Sequence, residues 1–389
     1  MTPIVPRVAV FSIKSETAFK TSHPYDWFAK NFEIHFFKNN VNLNTLIKGR
    51  FNLIIAVGCK LLWKNLLNTF IPVIFFDNTI NGDIVYDYFV QRSLEDFSPD
   101  VSIFTPAHNS FEKFLRAYKS VINQSYSNWE WIILDDSPDN KNFEYINNIV
   151  KKDYRIKLFK SNYQDGFVGS VKRQAASLCN GKYLLELDHD DELHHLALEY
   201  IVSAFKKYPD SKFCYSNSAE VFENGGNVRY GDNFGMRFGL HYDFKYKGRH
   251  IVGADVPINA STIRHIVGVP NHFRCWEKNF YFSIFRHNNK LSIVDDYEIL
   301  LRTFLKTKMV HIQEVLYIQY MNDKGNNTQE PRRAEIQRLV DHVQKYYDKQ
   351  LHDRILQLGG EDWLWDYNTE SSNIYKIPPR ERNTLAYVY

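Results

Sequence analysis

LLELDHDDE, residues 184–192, is the stretch from which the fold of this 389-residue chain is read. Tyr183 to Leu187 is an apolar run of strand length, preceded by the turn signal Asn180-Gly181-Lys182. It stops at Asp188, His189, Asp190 and Asp191. Three carboxylates within four residues repel one another, and no folding argument asks for them together. A hard dication such as Mg²⁺ or Mn²⁺ does, because it takes oxygen ligands and shares its sphere with substrate phosphates. Continued extended backbone would put Asp188 and Asp190 on one side and His189 on the other. The alternative is an acidic turn in which Asp191 caps a helix starting near His194. Placement after a buried-looking strand favours the metal, since open α/β sheets bind ligands beyond the carboxyl ends of their strands.

Composition narrows the class without choosing within it. The length leaves room for two domains. Hydrophobic content of 44% and charged content of 24% are those of an ordinary globular protein. A net charge of +3 with no basic stripe argues against a nucleic-acid partner. Cys59, Cys179, Cys214 and Cys275 are widely separated and form no C-x-x-C pair. They are expected to be reduced, buried thiols in a reducing compartment, the cytoplasm. The N-terminus lacks a long apolar run, so no signal peptide is expected. The most apolar stretch, 51–76, is broken by Lys60, Lys64 and Asn65, so no transmembrane segment is expected either. Aromatic content of 16% suits sugar-stacking surfaces or a Phe/Tyr-rich core equally.

Residues 1–97 alternate strand-like and helix-like pieces. Strands are expected at 7–12, 33–37, 51–57 and 71–76, with helices near 17–30, 42–48 and 59–69. That order predicts a small Rossmann-like parallel α/β domain. Nothing in it matches G-x-G-x-x-G, so docking or structural support suits it better than a dinucleotide. Ser98-Pro99-Asp100 marks a boundary. A second domain is expected over 98–325, followed by a C-terminal helix and arm over 326–389.

The second α/β run begins with a strand from Val101 to Thr105 and a turn from Pro106 to Ser110. A helix over 111–124 follows, its Phe111, Leu115, Tyr118 and Ile122 close to one face. The strand Trp129 to Leu134 also runs into carboxylates, Asp135 and Asp136. After a third strand at 155–159, a loop over 162–169 opens a helix carrying Lys172 and Arg173. Three strand ends therefore present groups suited to one ligand. Asp136 can accept from a base or ribose, Lys172 or Arg173 can reach a pyrophosphate beside a helix N-terminus, and Asp188 and Asp190 can supply ribose contact and metal. Singly, each has a structural alternative: Asp135 and Asp136 as turn formers, Arg173 as a solvated helix residue. The coincidence of three favours the ligand.

Further on, a strand is expected at 212–216 and a hairpin turn at Asn224-Gly225-Gly226-Asn227. Residues 231–256 have no clean periodicity and read as an irregular segment able to move over the site. His272, Arg274 and Trp276 precede a helix near 277–286 and either line a sugar pocket or pack at the helix entry. At 292–300 an apolar approach ends in Asp295 and Asp296, and a helix with Leu300, Leu301 and Phe304 follows. The two carboxylates are helix caps or contain a general base whose pKa is raised by burial and its neighbour. Glu298 is the fallback base. Ile336, Leu339, Val340, Val343, Tyr347 and Leu351 form a packing stripe on a late helix.

VSIFTPAHN, SVINQSYSNWEWIILDDS, GFVGSVKRQAASLCNGKYLLELDHDDEL and VDDYEILLRTF resemble, in order and spacing, the motifs of family 2 (GT-A fold) glycosyltransferases over about residues 101 to 320. The resemblance implies that Asp136 binds the nucleoside base, usually uracil, and that Pro106 and His108 line it. It further implies Arg173 near the diphosphate, Asp188 at the ribose, Asp190 on the metal with Asp188 beside it, and Asp296 as the base. Asp295 stands where Glu is more usual, and Arg173-Gln174 stands for an Arg-Asn pair. Asn327 to Arg333 is similar to a Q-x-x-R element that holds the diphosphate, through Gln329 and Arg332, although both also sit naturally before a helix with Pro331 at its first turn. No His occurs at 317–323, where many relatives place a metal ligand. The expectation is an inverting transferase dependent on Mn²⁺ or Mg²⁺, moving sugar from a UDP-sugar to a hydroxyl of a glycan or glycoconjugate. A silent nucleotide- or glycan-binding module is one alternative. A sugar nucleotidyltransferase is another, though it would want a Gly-rich phosphate loop near the first strand.

Overall fold

A computed structural model describes residues 7–12, 33–37, 53–57, 73–76, 98–151, 153, 155–161, 165–322, 332–362 and 384–389. Within 1–97 all four expected strands are present: β1 (Arg7–Ser12), β2 (Glu33–Phe37), β3 (Leu53–Val57) and β4 (Val73–Phe76). They form a parallel sheet in the order β2-β1-β3-β4. Every residue of β3 is buried, the continuous apolar run that a doubly covered parallel strand requires. The three helices expected between these strands lie outside the described residues.

The larger sheet starts with four parallel strands, β5 (Val101–Ala107), β6 (Trp129–Asp135), β7 (Ile156–Lys160) and β8 (Tyr183–Glu186), in the order β8-β5-β6-β7. Helices α1 (Phe114–Ile122), α2 (Lys141–Val150) and α3 (Val168–Ser177) connect them. The strands are in register at their carboxyl ends, with Ala107 opposite Asp135 and Phe104 opposite Glu186. The polar strand ends read from the sequence therefore meet along one edge. Inside β6, buried Glu130 is satisfied by Lys157 at 2.9 Å and the Ser102 hydroxyl at 2.6 Å, as a charge away from water must be.

The chain then turns to a mixed sheet. In order come β9 (Glu192–Leu193), α4 (Ala197–Lys207), β10 (Phe213–Phe222), β11 (Leu240–Tyr246), β12 (Arg249–Asp255), α5 (Ala260–His265) and β13 (Arg274–Glu277). After these lie α6 (Lys278–Ser283), α7 (Asp295–Lys306), β14 (Val310–Met321), α8 (Arg333–Gln357) and β15 (Tyr387–Val388). Strand β13 runs antiparallel between β8 and β10, extending the order to β11-β12-β10-β13-β8-β5-β6-β7, while β14 pairs with β10, β9 and β15. Strands with helices between them, and a mixed sheet at the end, make an α/β fold with a helical C-terminal region.

Three expectations need correction here. Residues 231–256 are mostly regular: β11 and β12 form a hairpin on the sheet edge, seven residues in register. Trp276 is fully buried against Phe213 and Tyr281, its indole N–H donating to Thr303 at 3.0 Å, so it packs the core and lines no pocket. The segment after 362 is not only an arm, because β15 returns to pair with β14, and Tyr387 stacks on Tyr208.

Candidate active site

Two cavities open at the carboxyl edge of β5, β6 and β8. The first, of about 470 Å³, is lined by Pro106, His108, Asp136, Phe167, Asp188 and Asp190 among others. The second, of about 380 Å³, is lined by Lys172, Tyr230, His272, Arg274 and Asp296 among others. Asp188 and Gln319 line both. Asp188 thus sits at the junction of the two spaces, and Asp190 lines the first.

The first cavity is built by the β5 and β6 ends. Asp135 turns inward: Ser137, Asn142 and Lys160 donate to it at 2.6, 2.7 and 2.7 Å. Asp136 faces the cavity, and burial pushes its carboxyl up to about 6 against the pull of Ser161 and His108. His108 sits over the same turn, its Nδ1 at 3.1 Å from the Asp136 carbonyl oxygen. One of the two adjacent carboxylates is turned into the scaffold and the other lines the cavity.

Strand β8 ends at Glu186, so the strand alternation expected for the acidic motif does not reach it, and all four residues 188–191 line the first cavity. Asp191 is not a helix cap: it is buried and accepts from the Tyr317 hydroxyl and the Tyr320 amide, both at 2.8 Å. Asp188 and Asp190 remain about 30% exposed to the cavity. Burial, then the charges of Glu186 and Asp190, push the Asp188 carboxyl up to about 7 against the pull of Lys172. Carboxylates crowded in this way fit a hard dication, whose charge would relieve their repulsion. Among the described residues no three His, Cys, Asp or Glu side chains converge as a complete ligand set. Arg116, unnoticed in the sequence, secures the motif: it donates to the Asp190 carbonyl at 2.8 Å and lies 3.4 Å over the Tyr320 ring.

Of Lys172 and Arg173, the two cations expected to reach a pyrophosphate, Lys172 lines one of the two cavities. Arg173 donates to the backbone carbonyls of Phe285 and His287 and lines neither cavity. Lys172 is the one that reaches the site, paired at 2.6 Å with Glu186. Burial opposes its charge, but Glu186, Asp295, Asp188 and Asp296 together outweigh burial and raise the Lys172 pKa. Glu186 is fully buried, and Lys172, His287 and Arg274 hold it well below the usual carboxylate range in spite of that burial. Its only mark in the sequence is a lone acid inside an apolar strand.

At the start of α7 the helix cap is Val294, in the left-handed region, and neither Asp295 nor Asp296 occupies it. Asp295 is buried and its pKa is raised by that burial. Asp296 is a third exposed to the second cavity. Its pKa moves opposite to the sequence expectation: burial pushes it up, but Arg274 and Lys172 pull it below the ordinary value. Of the pair, Asp296 is the one whose surroundings favour the charged form. Glu298, the fallback base, is bound by Arg302 at 2.5 Å and by the Tyr347 hydroxyl at 2.7 Å and faces neither cavity. Arg332 contacts Glu335 and the Ser292 carbonyl at the start of α8, so it holds that helix rather than a cavity wall. Gln329 lies outside the described residues.

Residues 102–266, from β5 through α5, match the family model described as glycosyl transferase family 2. They are a family 2 glycosyltransferase domain. The domain carries Asp136, Asp188 and Asp190, whereas Arg274 and Asp296 lie beyond the matched stretch and are brought to it by β13 and α7. An Escherichia coli UDP-Glc:α-D-GlcNAc-diphosphoundecaprenol β-1,3-glucosyltransferase is 33% identical over 129 residues, 33% of this chain and 49% of that protein. A Pasteurella multocida chondroitin synthase is 24% identical over 230 residues, 59% of this chain and 21% of that protein. The chain spans less than half the length of either. A structure of S. aureus TarS in complex with UDP-GlcNAc shares 13% identity and a TM-score of 0.48, over 70% of this chain and 77% of that one.

Proposed function

We propose that this chain transfers a sugar, with inversion, from a nucleotide-diphosphate donor to an acceptor hydroxyl. The observation that carries the proposal is the pair of cavities that share Asp188, with Asp136 lining one and the partly exposed Asp296 lining the other. The first takes the donor: Asp136 accepts from the base, with Pro106 and His108 along it. A UDP-sugar is favoured because relatives of this domain include a protein named for UDP-Glc, and because an Asp accepts from the N–H edge that uracil offers. The second takes the acceptor, a glycan or glycoconjugate. The three described cysteines are free and buried, which suits a reducing, cytoplasmic setting. Among the described residues no helix is long and apolar enough to cross a membrane.

Asp188 and Asp190 would hold Mn²⁺ or Mg²⁺, with donor phosphates completing the sphere, and the ion would neutralise the departing diphosphate. Asp296 accepts the proton of the acceptor hydroxyl as that oxygen forms its bond to the anomeric carbon. The bond from that carbon to the diphosphate oxygen breaks with its electron pair going to the diphosphate. Attack from the face opposite the leaving group inverts the anomeric centre, the same geometric logic that governs inverting hydrolases. Lys172, which lines the second cavity with Asp188, would supply positive charge at the junction in place of Arg173. The test is incubation with a panel of nucleotide sugars and candidate glycan acceptors, with Mn²⁺ or with EDTA, measuring released nucleotide diphosphate. Release from a UDP-sugar with Mn²⁺ that stops with EDTA is the expected result. Undiminished release in metal-free buffer would remove the metal from the account.

A further inference from the structure

We propose that Arg274 is the positioning residue that holds Asp296 as an oriented carboxylate facing the acceptor, a reading that rests on Asp296 being the base. Arg274 is 2% exposed, on β13, directly opposite Glu186 of β8 in the sheet register. Its Nη1 lies 3.3 Å from Asp296 Oδ2 and 4.0 Å from Glu186 Oε1, and its Nε donates to the Pro270 carbonyl at 3.2 Å. The other oxygen of Asp296 accepts the Tyr297 amide at 2.8 Å. Both oxygens of the proposed base are therefore fixed from the protein side, and the carboxylate keeps only its cavity face open. A planar guanidinium suits this because its donors point in fixed directions, whereas an ammonium is a single point charge on a flexible stem.

The charge around Asp296 makes Arg274 decisive. Asp295 is its chain neighbour, Glu186 lies on β8 against the same guanidinium, and Asp188 lines the same cavity, so three carboxyl groups share its surroundings. His272 lines the same cavity, its Nε2 3.8 Å from Asp188 Oδ2. Lys172 is the other cation acting on Asp296, and it is paired with Glu186. Without Arg274, Asp296 would lose one of its two anchors and face three carboxyl groups with a single, already engaged lysine. It would both rotate more freely and take up a proton more readily.

Transfer rates against pH, UDP affinity by calorimetry and melting temperature would be measured for the wild type, Arg274→Gln, Arg274→Lys and Asp296→Asn. Arg274→Gln is expected to lower kcat by about 10²-fold, the scale of a misplaced catalytic group. Its acidic limb should move to higher pH, with UDP affinity within a few-fold, because Arg274 does not line the first cavity. Arg274→Lys should shift the same limb in the same direction by less. Normal kcat and an unmoved limb in a folded Arg274→Gln protein, beside an inactive Asp296→Asn, would overturn the proposal alone. If Arg274→Gln fails to fold, Arg274→Lys decides: a displaced limb supports the proposal and a wild-type profile overturns it. Full transfer by Asp296→Asn would bring down the base assignment, and this proposal with it.

Discussion

Asp135 and Asp136 are chemically identical neighbours with opposite fates, and the difference is local geometry. Asp135 has three side-chain donors and is part of the scaffold, while Asp136 faces the first cavity with a carboxyl pushed up to about 6 by burial. If Asp136 must be ionised to accept from the base, UDP affinity should fall as pH drops through about 6, tending to roughly tenfold per pH unit below it. Calorimetric titration of the wild type and Asp136→Asn across that range checks this, since the nucleotide's own titration is common to both. Identical pH dependence in the two would return Asp136 to a turn role. Which residue types crowd the site was legible in the sequence, because strand ends and their acids are local features. Which of two adjacent residues faces it was not. Lys172 and Arg173 differ by about 100° around their helix, and the helix phase is set by packing on β5 and β6 that no single segment reveals.

At the scale of elements, regular periodicity decided what could be read. Buried parallel strands are uniform apolar runs, and all four described strands of the small sheet fall where expected. The β11–β12 hairpin escaped because β11 lies at a sheet edge with almost every residue exposed or half-buried, which leaves no alternation to detect. Its tip is nonetheless tied down: Tyr246 donates to buried Glu192 at 2.6 Å, immediately after the acidic motif. The start of α3 is the tightest joint of the site. A Cβ on Gly169 would lie 2.8 Å from the Asp295 Cβ and 2.9 Å from the Asn288 carbonyl oxygen. Neither is the end of a flexible side chain. Gly169→Ala is therefore expected to cost about 1–3 kcal/mol of stability by overpacking and to reduce transfer by shifting the start of α7. Chemical denaturation beside a transfer assay checks both; wild-type stability and rate would mean that α3 and α7 part freely.

Across the whole molecule, the C-terminal helix α8 is fastened to α5 by buried charge. Arg264 of α5 pairs with Asp348 and with fully buried Asp362, and His352 contacts Asp362 at 3.0 Å. Removing that cation takes the guanidinium from buried Asp362 and leaves it the His352 contact, so Arg264→Gln should cost ~3–5 kcal/mol, with transfer per folded molecule retained. An unchanged melting temperature would show the clamp to be dispensable. Such long-range pairs, like Arg274 with Asp296, lie beyond sequence reading because their partners sit on elements separated by intervening chain. They bring the matched domain, the strand after it and α7 together around one junction at Asp188. The central claim is a division of labour there: donor in the first cavity, proton acceptance by Asp296 in the second. Asp296→Asn tests it most directly, because it keeps the shape and removes the basicity. UDP-sugar affinity and transfer rate would be measured on the same protein preparation. Affinity within a few-fold and transfer lowered by roughly 10²–10⁴ is the expected result. Transfer at the wild-type rate would contradict the account.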